Sequence, residues 1–219
     1  MGSSRSTIYC ADTSGLIGFA QQYPAANFPA LWDDLADLAR QGRLIACEMV
    51  RDDCKREECK RNPEVMKLLR VPGIVKGFSA DQERALKHLQ ANLQRMGKVL
   101  TDYESGSSAS DEFVIAQAMS VNLTVEGSFA SGCCVVLQTE TPKGNAAAAQ
   151  RWRIPNVCSV YGIGCVTPVQ VIVEEGWVFD RAATPQPSLF RPSSRIAVTL
   201  MGDSRTATPD LRGISGSRV

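Results

Sequence analysis

Histidine is almost absent from this chain, since His88 is the only one among 219 residues. It lies off the apolar stripe of its predicted helix, so we expect a surface residue rather than a catalytic one. The eight cysteines contain no C-x-x-C pair, and a structural zinc site therefore has little support. Five of them stand within apolar runs: Cys10, Cys47, Cys133, Cys134 and Cys165. That placement is typical of reduced cysteines packed in a core.

Long apolar runs are also missing. No segment approaches the roughly 20 apolar residues that cross a bilayer, and the N-terminus has no basic region followed by an apolar core. We therefore expect a cytoplasmic protein with no membrane partner.

The net charge of +1 indicates no nucleic-acid partner by itself, but the charge is unevenly distributed. From Arg181 onward there are six arginines and two acids, a net charge of +4 that leaves −3 for residues 1–180. We predict a globular domain at residues 1–180 and a loosely ordered tail rich in Arg, Ser and Pro at residues 181–219. The tail is expected either to be solvated or to contact phosphates, and its apolar run at residues 196–200 could add an edge strand.

Short apolar strands alternate with helical patterns along the domain. Predicted strands cover residues 7–11, 43–47, 133–138 and 164–167, and a helical pattern follows each of them. Ser79 with Gln82, and Thr167 with Pro168, mark the starts of two helices. This alternation predicts an α/β fold with a mostly parallel central sheet.

Acids follow the strands of this sheet or open its helices. Asp12 ends the first strand, Glu140 follows the strand at residues 133–138, and Asp111 lies in the first turn of a helix that Ser110 can cap. Glu48, Asp52 and Asp53 follow the second strand. Each acid alone suits a helix cap or a solvated face. Together they can share one sheet edge, where close carboxylate pairs repel by roughly 4 kcal/mol and favour a divalent cation; oxygen ligands suit Mg²⁺ or Mn²⁺.

An ordered set of motifs over residues 7–179 resembles the PIN-domain nucleases, and more closely a VapC-like branch of PIN-like proteins. The N-terminal motifs are Asp12-Thr13-Ser14-x-x-Ile17, Phe28-Pro29-x-x-Trp32, Gly42-Arg43-Leu44-Ile45 and Val50-x-x-Asp53. The later ones are Ser110-Asp111-x-x-x-Ile115-Ala116-x-Ala118, Val135-Val136-x-x-Thr139-Glu140, Arg153-Ile154-Pro155-Asn156-Val157-Cys158 and Gly164-Cys165-Val166.

The resemblance implies a PIN-like three-layer fold and a metal-dependent endoribonuclease, usually the toxin of a type II toxin–antitoxin pair. The implied partners are an RNA substrate and an antitoxin protein, with a homodimer left open. The implied catalytic and metal-binding residues are Asp12, Asp53, Asp111 and Glu140, with Mg²⁺ or Mn²⁺ as the cofactor.

Two features of the implied site stay open. Asp53 is one methylene shorter than the family's usual glutamate, so Glu48 or Asp52 could substitute for it. Thr13, Ser14 and Thr139 are candidate substrate-binding residues, although the first two could instead orient Asp12 or serve as turn residues. The alternative function is a PIN-like binding or regulatory module whose catalytic site has decayed and which acts through the predicted helix at residues 86–100.

Overall fold

The computed structural model describes residues 7–55, 62–100, 110–123 and 133–179. Within these ranges the chain forms five strands and eight helices. The strands are β1 (Ile8–Ala11), β2 (Leu44–Cys47), β3 (Val75–Lys76), β4 (Cys134–Leu137) and β5 (Cys165–Val166). The helices are α1 (Thr13–Gln22), α2 (Pro29–Arg40), α3 (Glu48–Cys54), α4 (Pro63–Leu68), α5 (Ala80–Arg95), α6 (Ser110–Val121), α7 (Ile154–Val160) and α8 (Pro168–Glu174).

The strands form one parallel sheet in the order β3-β2-β1-β4-β5. Residues of β1 pair with β4 from Ile8 opposite Cys134 to Ala11 opposite Leu137. The chain runs from β1 outward to β3, then returns across the sheet and adds β4 on the other side of β1. The carboxyl ends of β1 and β4 therefore flank a topological switch point, the position at which open α/β sheets bind ligands.

Helices pack in two groups around this sheet. One group centres on α6, which contacts α5, α7 and strands β1, β2 and β4; the other includes α1, α2, α4 and α8. The sheet strands supply fully buried residues such as Tyr9, Leu44 and Leu137. The expected three-layer α/β fold with a parallel central sheet flanked by helices is confirmed.

Several local predictions agree with the structure. Ser79 caps α5 by accepting the Gln82 N–H at 3.2 Å, and Thr167 caps α8 by accepting the Gln170 N–H at 3.4 Å. Cys10, Cys47 and Cys134 are buried free thiols, whereas Cys133 and Cys165 are partly exposed.

Other boundaries differ from the sequence-based expectation. The first helix starts at Thr13, directly after Asp12, rather than near Leu16. The predicted helix that includes Leu100 ends at Arg95, because Gly97 has a φ of +63° and turns the chain. The short strand β3 was not predicted, since two residues after a Pro-Gly turn give no periodic signal.

None of the helices within the described ranges is both long and apolar enough to cross a membrane. The predicted C-terminal tail, including residues 196–200, lies outside the described residues.

Candidate functional site

Asp12 stands at the switch point, between the end of β1 and the start of α1. Its backbone N–H donates to the Leu137 carbonyl of β4 at 2.9 Å, which continues the strand pairing up to this residue. Its Oδ2 accepts the Ser14 N–H at 3.0 Å, so the carboxylate caps α1. Asp12 is buried, and burial raises the pKa of its carboxyl group, as does the charge of Glu140, while hydrogen bonds from Ser14 and Thr13 oppose that rise.

Gly15 allows the helix carrying this cap to approach β4 closely. A Cβ at residue 15 would lie 2.5 Å from the Leu137 carbonyl oxygen, a separation that real Cβ atoms do not adopt. Glycine therefore fixes the short distance between α1 and β4, and with it the position of Asp12 beside the end of β4.

The helix α3 separates its three acids by burial. Asp53 is 8% exposed and lies on the same inward side as Val50 and Cys54. Glu48 and Asp52 have side chains 49% exposed, the first paired with Arg51 at 3.8 Å and the second with Lys55 at 2.9 Å. Because α3 packs against α6, which carries Asp111, the inward acid is the one that lies near the other candidates. This arrangement favours Asp53 over Glu48 and Asp52 as the second site acid.

Asp111 occupies the first turn of α6 and is half-buried. Burial raises the pKa of its carboxyl group to about 8, with further contributions from the charges of Asp12, Glu140 and Asp53, while Arg151 acts in the opposite direction. All four predicted acids therefore lie in one electrostatic neighbourhood. A carboxyl group in this state is stabilised by a proton or by a bound cation.

Glu140 follows β4 and lies at the start of α7, where its Oε2 accepts the Ile154 N–H at 3.4 Å. Together with Asp111 it lines a cavity of about 280 Å³. The other residues that line this cavity are Leu100, Lys143, Arg151, Trp152 and Arg153. Two carboxylates and three cationic side chains thus face one space at the carboxyl end of the sheet.

Two hydroxyl residues at the switch point, Ser14 and Thr13, differ in their hydrogen bonding. Ser14 Oγ accepts the Thr139 N–H at 3.2 Å, so this serine joins the start of α1 to the chain leaving β4. The Oγ1 atom of Thr13 is buried and has no hydrogen-bond partner within the described ranges, and the same is true of Oε1 of Gln138. Ser14 therefore has a demonstrated structural contact, and Thr13 retains an open acceptor.

The donor set suits a hard divalent cation in its chemistry. In the part of the chain that the structure describes, no three His, Cys, Asp or Glu side chains form a ready-made metal shell. Mg²⁺ is usually bound directly by one or two carboxylates while it keeps several waters, and carboxylate oxygens are donors of the kind that it takes. Asp12, Asp53, Asp111 and Glu140 are the residues that would hold it.

Sequence reasoning missed the cationic side of the site. Lys143, Arg151 and Arg153 belong to a connection between β4 and α7 that lacks a periodic pattern, and only Arg153 is part of one of the motifs. Arg153 also holds this connection in place, because its NH1 donates to the Thr141 carbonyl at 3.1 Å. The signal available in the sequence was the spacing of three cations downstream of Glu140.

Comparison with known proteins gives one family. A family model described as a domain of unknown function (DUF4411) matches residues 9–179. No curated protein matches the chain. The matched stretch covers most of the chain and includes all four candidate acids. The chain therefore belongs to the DUF4411 family.

Proposed function

We propose that this protein is a Mg²⁺- or Mn²⁺-dependent endoribonuclease of PIN-like type. The observation that carries the proposal is the group of four carboxylates at the switch point, with the pKa of Asp111 raised to about 8 by burial and by the other three. Clustered acids of this kind destabilise a metal-free protein unless they serve a cation or a proton. The resemblance of the ordered motifs to VapC-like proteins supports RNA as the substrate.

The bound ion would lower the pKa of a coordinated water and neutralise charge that develops on the phosphate. The chain supplies the positions of the groups around that chemistry. Asp12 is held by its hydrogen bond from the Ser14 N–H, and Asp53 is held by the burial of α3 against α6. Neither carboxylate needs to reorganise when substrate enters.

The three cations of the cavity give the substrate a place to bind. Lys143, Arg151 and Arg153 line the same space as Asp111 and Glu140. Guanidinium groups bind phosphate oxygens in a bidentate way, and they offset the repulsion between an RNA backbone and the acids. We assign these residues to the phosphates next to the one that is cleaved.

The partner, the location and the assembly are proposed from the resemblance alone. A VapC-like ribonuclease is the toxin of a type II toxin–antitoxin pair, so we propose a cognate antitoxin protein as partner, a cytoplasmic location and a homodimer as the assembly to test. Co-purification with the product of a neighbouring gene tests the antitoxin, and light scattering tests the homodimer.

The test is cleavage of total RNA and of tRNA with Mg²⁺, Mn²⁺ or a chelator. We expect metal-dependent cleavage that Asp12→Asn and Asp111→Asn each reduce by about a hundredfold or more, since even loss of a supporting group around a metal costs about 10- to 100-fold. Asp53→Asn should lower activity and Mn²⁺ affinity, whereas the matched exposed variant Asp52→Asn should leave both unchanged and Glu48→Gln should leave Mn²⁺ affinity unchanged.

Three outcomes would contradict the proposal: cleavage that persists in chelator, full activity in Asp111→Asn, or a loss of Mn²⁺ affinity in Glu48→Gln equal to that in Asp53→Asn. A protein that neither cleaves RNA nor gains thermal stability from Mn²⁺ would fit the alternative of a decayed binding module, because a ligand that binds only the native state raises its melting temperature.

A further inference from the structure

Phe78 is an aromatic side chain that the fold leaves exposed beside the candidate site. It is 47% exposed and follows the carboxyl end of β3. Within the described ranges it is the only aromatic residue among the exposed large hydrophobic side chains, the others being valines and Met96.

The ring does not stand alone. Phe78 packs against Phe113 with ring centroids 5.7 Å apart at an angle of 55°. Phe113 is half-buried and lies on α6, the helix whose first turn also carries Asp111. The exposed ring is therefore supported from below by a ring that the core holds.

A small cavity joins this pair to the carboxyl ends of β2 and β3. It has a volume of about 70 Å³, and Lys76, Glu48 and Gln82 line it together with both rings. Lys76 is the last residue of β3 and brings a cation to within two residues of Phe78. Proteins that bind single-stranded nucleic acids combine an aromatic ring that stacks on a base with a cation that binds a phosphate, and Phe78 and Lys76 line the same cavity.

Gln82 adds a polar acceptor at the same place. It is 1% exposed, and its Nε2 donates to the Phe113 carbonyl at 3.3 Å. Because that carbonyl can only accept, the amide orientation is fixed and Oε1 is left as the free acceptor. This Oε1 is buried and has no hydrogen-bond partner within the described part of the chain.

We propose that Phe78 and Phe113, with Lys76 beside them, bind one unpaired base and its phosphate from the single strand that enters the acidic site. That the nucleic-acid strand continues into the acidic site rests on the proposed nuclease function. The subsite itself rests on the contacts described above. A base within a duplex has both faces covered by its neighbours, whereas an unpaired base can lay one face on Phe78. The subsite therefore selects single-stranded over double-stranded substrate.

The experiment measures the dissociation constant of a fluorescein-labelled single-stranded oligoribonucleotide by anisotropy, in chelator so that no cleavage occurs. Base stacking on an aromatic ring is lost in Phe78→Ala, and we expect binding to weaken by about 5- to 100-fold. Phe78→Trp should restore binding, because it keeps an aromatic face. Val173→Ala is the matched control: Val173 is 73% exposed and lies near the end of α8, which runs away from the carboxyl edge.

Further arms separate the sources of affinity. Lys76→Ala should reduce the slope of log affinity against log salt by about 0.7, the contribution of one phosphate in a single strand. A duplex of the same sequence should bind wild type and Phe78→Ala equally. A single-stranded deoxyribonucleotide should respond to Phe78→Ala as RNA does, since stacking does not depend on the 2′-hydroxyl.

The outcomes distinguish this inference from the function on which it rests. Equal binding by Phe78→Ala and wild type, or no measurable binding of any single strand by wild type, overturns the subsite even when metal-dependent cleavage is observed. Weakened binding in Phe78→Ala, rescued by Phe78→Trp, supports the subsite even when no cleavage is detected, and in that case it is the nuclease proposal that fails.

Discussion

The two ends of the central sheet shift the pKa values of their carboxyl groups in opposite directions. At the amino end Glu175 binds Arg43, whose NH1 donates to Oε2 at 2.7 Å, and it also accepts the Tyr9 hydroxyl at 2.6 Å. Although burial acts to raise the pKa of Glu175, these hydrogen bonds and the charge of Arg43 outweigh it and lower the pKa. At the carboxyl end the pKa of Asp111 rises to about 8.

The difference separates a stabilising ion pair from a group of acids with an excess of negative charge. The amino end joins β1, β2 and the end of α8, because Arg43 Nε also donates to the Thr7 carbonyl at 3.1 Å. At the carboxyl end, repulsion among acids costs stability that the rest of the fold must supply. Such a cost is typical of sites selected for binding or catalysis rather than for folding.

The largest expected loss of stability comes from removing the ion pair at the amino end of the sheet. Arg43→Ala leaves Glu175, whose side chain is 12% exposed, without its cation, and we expect the free energy of unfolding to fall by about 3 kcal/mol. The control is Arg40→Ala, which removes an ion pair with Asp37 whose side chains are both 60% exposed, and which should cost less than about 1 kcal/mol. Urea denaturation measures both. Equal losses in the two variants would show that the amino-end cluster is no more than a surface pair.

The next largest effect concerns the close contact between α1 and β4 at the carboxyl end of the sheet, where the acids lie. Gly15→Ala places a methyl group 2.5 Å from the Leu137 carbonyl oxygen, so α1 must move away from β4. We expect a loss of about 2–3 kcal/mol in unfolding free energy, together with a fall in metal affinity as Asp12 shifts. Gly144→Ala is the control, since a Cβ there meets nothing within 4 Å. Metal affinity that survives Gly15→Ala would separate the position of Asp12 from this contact.

The positions of the acids at the carboxyl end can be predicted from the sequence, whereas the ion pair at the amino end cannot. Asp12, Asp111 and Glu140 follow or open regular elements, so the parallel sheet brings them to one edge by topology alone. Arg43 and Glu175 lie at the other edge by the same logic, yet nothing in their spacing reveals that they pair, because their contact spans 132 residues and depends on where α8 ends. Asp53 was separable from Glu48 only through the burial of α3, and Phe78 only through the unexpected strand β3.

Removing an acid at the carboxyl end is expected to raise the unfolding free energy, whereas removing Arg43 at the amino end lowers it. The folded pKa of Asp111 is about 8 against an ordinary value of 3.8, so between these values the native state binds more protons than the unfolded chain. The stability that this group contributes is present below about pH 4 and is lost as the pH rises through about 8. Asp111→Asn should therefore raise the unfolding free energy of the metal-free protein at pH 7.5 by about 1–2 kcal/mol and flatten its pH dependence.

The control and the metal arm sharpen that prediction. Asp52→Asn removes an exposed acid whose pKa is lowered, chiefly by its hydrogen bond from Lys55, and should change stability by less than about 0.5 kcal/mol. Added Mn²⁺ should stabilise wild type more at pH 8 than at pH 5, where protons compete for the carboxylates, and should stabilise Asp111→Asn least. If Asp111→Asn destabilises the metal-free protein, burial and the neighbouring acids do not raise the pKa of Asp111 as described.

The smallest effect decides what Ser14 does. Its backbone N–H caps Asp12, and its hydroxyl also hydrogen-bonds the Asp12 carboxylate and accepts the Thr139 N–H, so Ser14→Ala keeps only the backbone contact. Loss of these side-chain hydrogen bonds should cost about 1 kcal/mol of unfolding free energy, with the dissociation constant for single-stranded RNA unchanged. Thr13→Val, in contrast, removes the buried Oγ1 that has no partner within the described residues, and should leave stability nearly unchanged or improve it. If Ser14→Ala weakens RNA binding without lowering stability, Ser14 binds substrate directly, and the acidic end is then arranged by Asp12 and Gly15 without help from this hydroxyl.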